Sequence, residues 1–251
     1  MAQKYYVVWK GRETGVFNDW ASCKRHIDHF PGARYKSFKT LKDAEAAFKG
    51  SPAAPISRQS DVKKKPSIKT YTAADIKKLH VDTKIYTDGG CEPNPGKAGS
   101  GIAVYRDEQL SELWYGLYNP NGTNNTAELN ALFQAMVMAQ DELKKERSVA
   151  IFCDSKYSIQ CVTQWAAGWE KKGWKKAGGE IKNLDLIQEM FVLYKDLKSQ
   201  LQILHVNGHV GVEGNELADR MSILAIEKQD PDFVRYKGKL DIAAILATRA
   251  G

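Results

Sequence analysis

At 251 residues, 43% of them hydrophobic, the chain can form one large domain or a medium one with a small one, each burying a core. No apolar run approaches the roughly 18 residues that span a bilayer, and the opening "MAQKYYVVWK" lacks a signal-type hydrophobic region, so no membrane partner and a cytoplasmic location are expected; a monomer is expected separately. The net charge of +7 is unevenly spread, with ten basic against five acidic residues in 1–50, seven against two in 51–80 and 20 against 23 in 81–251, which suggests an anionic polymer held at the front and processed by the body.

The first 50 residues offer "KYYVVW" as a strand, "RETGVF" as a turn into a second, "WASCKRHIDHF" as a helix, "ARYKSF" as a third strand and "TLKDAEAAFKG" as a helix stopped by Gly50. "SPAAPISRQSDVKKKPSIK" follows, rich in Pro, Ser and Lys without hydrophobic period, so residues 51–80 read as a flexible basic linker. The remaining chain divides into a large domain, 81–227, and an extension, 228–251, in which a short helix against the body is expected. Cys23, Cys91, Cys153 and Cys161 show neither CxxC pairing nor zinc spacing to His and read as reduced and mostly buried.

The large domain opens with strands near 83–89, 99–106 and 110–118 and a long helix over 126–144. The strand "VAIFC", a helix from 155, a Trp/Lys segment, a helix from 183, the strand "LQILHV" and a helix from 215 complete it. Strands first, then alternating helix and strand, predict an α/β fold with a mixed five-stranded sheet flanked by helices, preceded by the small α/β domain.

Four acids occupy unusual places in this domain. Asp88 falls where its strand should still be packing. Glu128 continues the helical stripe Ala131, Leu132, Ala135, Met136 and Ala139. Asp154 ends "VAIFC", at the carboxyl edge where ligands of α/β sheets collect, and Asp219 lies in the helix that follows the glycine-rich "GHVGVEGN". Each has a local explanation as a turn, a cap or a solvated acid; four in one domain suggest a cluster. Two carboxylates ~4 Å apart repel by about 4 kcal/mol at an effective dielectric of ~20, so converging acids must take up protons or bind a cation. All-oxygen ligands favour Mg²⁺ or Mn²⁺, and a pair of such ions suits phosphodiester hydrolysis.

"YTDGGCEPNPGKAGSGIAVY", "TNNTAELNALFQAM", "FCDSKYSIQCVTQWAAGWEKKGWK" and "VNGHVGVEGNELAD", in that order, resemble type 1 ribonuclease H over nearly all of residues 83–226. "YYVVWKGRETGVFNDWASCKRHIDHFPGARYKSF" is similar to the RNA–DNA hybrid-binding domain that precedes the catalytic domain in some members. The resemblance implies an endonuclease that cuts the RNA strand of RNA–DNA hybrids with two Mg²⁺ ions, Mn²⁺ being a possible substitute, and leaves 5′-phosphate and 3′-hydroxyl ends. It implies Asp88, Glu128, Asp154 and Asp219 as metal-binding catalytic acids and His209 as a mobile catalytic histidine.

By the same resemblance, Asn94, Asn124 and Asn125 contact the RNA strand, where 2′-hydroxyls in a wide, shallow minor groove separate hybrid from DNA duplex. The DNA strand falls to Thr123, Tyr157, Trp165, Trp169, Lys171, Lys172, Lys175 and Asn183, with Lys176 close behind. Asn121 stands where some relatives carry an arginine of the phosphate pocket. In the small domain Tyr6, Trp20, Tyr35 and Lys36 match hybrid-contacting positions, and Ser37 replaces a lysine. On residue type alone, the Trp/Lys segment also fits a solvated charge run beside core aromatics, and the small-domain aromatics also fit a core. Two other readings are a non-catalytic hybrid-binding protein on the same fold, which the full set of acids argues against, and an integrase-like nuclease, which does not predict the hybrid-binding front end.

Overall fold

The computed structural model describes residues 4–28, 30–49, 68–208 and 210–251. The chain divides into two compact units, Met1–Lys65 and Pro66–Gly251.

In the first unit, β1 (Tyr5–Lys10) is the centre of an antiparallel sheet ordered β2-β1-β3, with β2 at Gly15–Phe17 and β3 at Arg34–Phe38. Alternation along β1 sends its two faces to different helices. Val8 packs on Cys23 and Ile27, one turn apart on α1 (Trp20–Ile27), and Trp9 on the other face donates its indole N–H to the Ala47 carbonyl of α2 (Leu41–Lys49) at 3.1 Å. Asp19 caps α1 by accepting from the Ser22 N–H at 2.8 Å.

The second unit holds a seven-stranded sheet ordered β10-β7-β6-β5-β8-β9-β4. Its middle is the expected five: β5 (Thr83–Glu92), β6 (Gly96–Arg106) and β7 (Gln109–Gly122) run antiparallel, and β8 (Val149–Cys153) and β9 (Leu201–Val206) join β5 in parallel. The edges are β4 (Thr70–Tyr71) on β9 and β10 (Phe233–Arg235) on β7. The linker expected over 51–80 is therefore shorter at its C-terminal end. Thr70–Tyr71 pair with His205–Val206, and Thr72 and Asp75 form a capping box on α3 (Ala73–Lys77), whose Ile76 is buried. The extension after 227 is likewise part of this unit, through β10 and α9 (Ile242–Leu246), which buries Ile245.

Helices cover both faces of the sheet, so the central strands are apolar throughout rather than alternating. Ile85 and Ile151 face a core shared with α4 (Asn124–Lys144) and α7 (Leu184–Leu197), whereas Tyr86, Ala150 and Phe152 face one shared with α8 (Glu213–Lys228). Two glycines set how closely helix meets strand. A Cβ on Gly89 would lie 2.2 Å from the Glu128 nitrogen, and one on Gly101 would lie 2.1 Å from the Ala218 carbonyl oxygen. These contacts bring α4 and α8 onto β5 and β6 beside Asp88.

Candidate active site

Parallel pairing of β5 with β8 puts Thr87 opposite Cys153, so the next residues, Asp88 in the middle of β5 and Asp154 just past the end of β8, emerge side by side at the carboxyl edge of β8. Glu128 reaches the same point from the second turn of α4, and Asp219 from α8. The four acids line one cavity of about 340 Å³ together with Gly89, Gly90, Asn124, Arg249 and Gly251. Asp88, Glu128 and Asp219 are buried, and Asp154 is half-buried.

Burial, reinforced by the charges of Asp154 and Asp219, pushes the Asp88 carboxyl well above the usual carboxylate range. Burial also raises Glu128, with Asp88 and Asp154 adding to it. The Glu128 Oε2 atom is buried without a hydrogen-bond partner among the described residues. One ligand atom each of Glu128, Asp154 and Cys153 lie within 4.8 Å of one another. Cys153 is poorly suited to ligation: burial and the neighbouring Glu128 and Asp154 charges raise its thiol well above the ordinary value, keeping it protonated, and its S–H points to the Ser155 carbonyl at 3.8 Å. What remains is a convergent, all-oxygen donor set with an orphaned carboxylate oxygen, which fits a hard divalent cation.

Supporting groups outside the predicted set hold these acids. Asn215, buried on α8, donates its amide to Asp154 Oδ2 at 3.2 Å, and the ring Nε2 of His205 on β9 lies 3.1 Å from the Asp154 carbonyl. Asp219 forms an ion pair with Arg220 and accepts from the Gly251 N–H at 3.1 and 3.2 Å. Arg249 pairs with Glu92 at the cavity rim. Asn215 stands four residues before Asp219 on the same helix face, a spacing that could have marked it; His205 had no such local signal.

His209 lies outside the described residues. Among the RNA-strand candidates, Asn94 Oδ1 accepts from the Asn124 N–H at 3.2 Å, Asn124 lines the acid cavity, and Asn125 is exposed in the first turn of α4. Thr123 caps α4, its hydroxyl 2.8 Å from that of Thr126, and Thr126 in turn donates to Asn183 Oδ1 at 3.0 Å. Thr123 and Asn183 therefore meet through a residue the sequence reading omitted.

The helix expected from 155 is broken into α5 (Lys156–Gln160), a π turn (Cys161–Trp165) and α6 (Ala166–Glu170). Its rings form a row, Tyr157 to Trp165 at 6.1 Å and Trp165 to Trp169 at 5.7 Å, half-buried against the core, with Lys171, Lys172 and Lys175 exposed beyond it. In the first unit, Trp20 lies 5.4 Å from Tyr6 and 5.8 Å from Tyr35. Trp20 is 44% and Tyr35 48% exposed, so these two rings form a surface platform, while the half-buried Tyr6 also packs against the Val8, Cys23 and Ile27 core and Lys36 is exposed on the same strand as Tyr35.

Residues 80–227 match the RNase H family, and residues 4–48 match the Ribonuclease H1 N-terminal domain. The chain is 31% identical to mouse Ribonuclease H1 and 30% identical to human Ribonuclease H1, with 87% of each chain covered in both pairs. It is 39% identical to the Ribonuclease H of Acidovorax sp. over 57% of this chain and 94% of that one. Among solved structures, the PFV RNase H domain superposes with a TM-score of 0.50 at 23% identity, over 61% of this chain and 98% of that one.

Proposed function

The chain belongs to the ribonuclease H family, nucleases that cleave the RNA strand of RNA–DNA hybrids, and from that premise we propose a two-metal endonuclease producing 5′-phosphate and 3′-hydroxyl ends. The observation that carries this reading is the convergence of Asp88, Glu128, Asp154 and Asp219 on one cavity beside the carboxyl end of β8. These four would hold the cations, Mg²⁺ suiting the donor set and Mn²⁺ substituting for it. When bound, such ions activate water and stabilise the entering and leaving oxygens of the phosphodiester.

The chain's own residues supply orientation and proton traffic. Asn215 and the strand-end geometry keep the Asp154 carboxylate aimed at the cavity. Asn94, Asn124 and Asn125 would read the RNA strand through its sugars, beside the acids, while Thr123, Tyr157, Asn183, Trp165, Trp169 and the lysines of 171–175 would hold the DNA strand. His209 would act as a general acid–base group that passes a proton during turnover. Tyr6, Trp20, Tyr35 and Lys36 would grip hybrid by backbone and sugar, independently of sequence.

The test is to incubate strand-labelled RNA–DNA, RNA–RNA and DNA–DNA duplexes with Mg²⁺ and with EDTA. RNA in the hybrid alone should be cut, only with the divalent ion, and the fragments should accept ligation chemistry specific to 5′-phosphates. Hybrid binding without cleavage would refute the nuclease reading in favour of a binding protein, and cutting in EDTA would refute the metal.

A further inference from the structure

We propose that His205 is a positioning residue for Asp154, clamped from behind by Thr70 of β4, so that a strand preceding the family match supports the active site. The inference rests on Asp154 being one of the metal-holding acids. Cys153 is the last residue of β8 paired with β9, opposite His205, so the Asp154 peptide lies just beyond the ladder that would otherwise fix it. The His205 ring, 3% exposed, fills that gap with Nε2 3.1 Å from the Asp154 carbonyl oxygen and Nδ1 2.8 Å from Thr70 Oγ1.

The chemistry of the two partners fixes the ring. A carbonyl oxygen has no proton to give, so Nε2–H must donate to Asp154. In the neutral ring Nδ1 is then a bare acceptor, and the Thr70 hydroxyl donates to it. Both contacts therefore select one tautomer and one ring orientation. Both ring nitrogens are occupied, so His205 is available neither to ligate a cation nor to relay protons. With Asn215 on the carboxylate and His205 on the carbonyl, Asp154 is gripped at both ends across sequence separations of 61 and 51 residues. A ligand displaced by about 1 Å costs on the order of 100-fold in rate, which is the scale on which such support acts.

The experiment uses the full chain. In the metal-free protein, nitrogen-15 NMR should show His205 protonated at Nε2 and bare at Nδ1; protonation at Nδ1 would overturn the proposal. His205→Phe keeps the ring volume and removes both bonds. It should lower kcat and weaken Mg²⁺ binding, measured by calorimetry, by roughly 10- to 100-fold, with KM for hybrid little changed. His205→Gln, whose amide can donate to Asp154 and accept from Thr70, should recover most of that loss. Thr70→Val should give a smaller shift in the same direction. A merely structural role would lower the melting temperature of these variants and leave Mg²⁺ affinity and kcat at wild-type values, which would overturn the proposal; if His205→Phe fails to fold, the same criterion applies to Thr70→Val. Loss of cleavage by the wild type itself would instead sink the nuclease reading, and calorimetry would still report on Asp154.

Discussion

Removing one charge from the acid cluster should stabilise the metal-free protein while abolishing its activity. One oxygen of Glu128 and one of Asp154 lie within 4.8 Å, so if both were ionised they would repel by at least about 3.5 kcal/mol at an effective dielectric of ~20. Part of that repulsion is relieved by protonation, because burial and the Asp88 and Asp154 charges raise the Glu128 carboxyl. The net gain from Glu128→Gln in EDTA at pH 7.5 is therefore expected at about 1–3 kcal/mol, or roughly 3–10 °C in Tm for a unit of this size. Its pH dependence has a definite sign. A carboxyl whose folded pKa exceeds its ordinary 4.5 contributes stability that is complete below 4.5 and is lost as pH rises through the folded value. In EDTA the wild type should accordingly lose stability upward from pH 4.5, and the Glu128→Gln curve should separate from it over that window. Millimolar Mg²⁺ should restore the wild type and not the variant, and hybrid cleavage by the variant should collapse. Calorimetric or fluorescence melts across pH test this. A variant that melts at or below wild type in EDTA at pH 7.5, with a parallel pH curve, would refute the claim that these carboxylates repel one another in one site.

Asp88→Asn and Asp154→Asn should likewise lose hydrolysis yet retain or improve hybrid binding, and near-normal cleavage in a gel assay would remove that residue from the metal site. His209→Ala should slow single-turnover cleavage by roughly 10- to 1,000-fold without abolishing it, whereas unchanged rates would make it an ordinary loop residue. Trp20→Ala should weaken hybrid binding, in a titration whose affinity also falls with salt, because the exposed ring is part of the Trp20–Tyr35 platform; unchanged affinity in a folded variant would deny the platform that role. Far from the cavity, Glu142→Gln should destabilise by about 3–5 kcal/mol in urea melts. Burial by itself would raise this carboxyl, but hydrogen bonds from Arg106 and Lys145 outweigh it and hold the pKa at about 2, so the stability it contributes is present above pH 4.5 and lost as pH falls toward 2.

Three of the four acids were legible because each breaks a local pattern: Asp88 interrupts an apolar strand, Glu128 sits on a buried helix stripe, and Asp154 ends a fully buried run, whereas Asp219 is marked only by the glycine-rich loop before its helix. A misplaced charge in a periodic background needs no knowledge of the partner element. The edge strands were not legible, because β4 has two residues and β10 three, too few to show a period of two, and the Lys/Ser/Pro composition before β4 concealed the Thr72–Asp75 capping box. The π turn that divides the helix after Asp154 was hidden for the opposite reason: "CVTQW" carries no breaker, and its extra residue per turn follows from packing.

The same distinction separates the acids from the groups that hold them. His205 reads as one more residue of "LQILHV", and only the pairing of β9 with β8 on one side and β4 on the other gives its two ring nitrogens their partners, Asp154 and Thr70, 51 and 135 residues away. Residues that carry charge into an apolar element announce themselves in one dimension. Residues that merely satisfy a buried carbonyl become visible only when the sheet is assembled, since a buried polar side chain is ordinary once its hydrogen bonds are met. Thus the acids that converge on this cavity were readable from the sequence, whereas the order of strands that brings them together required the fold.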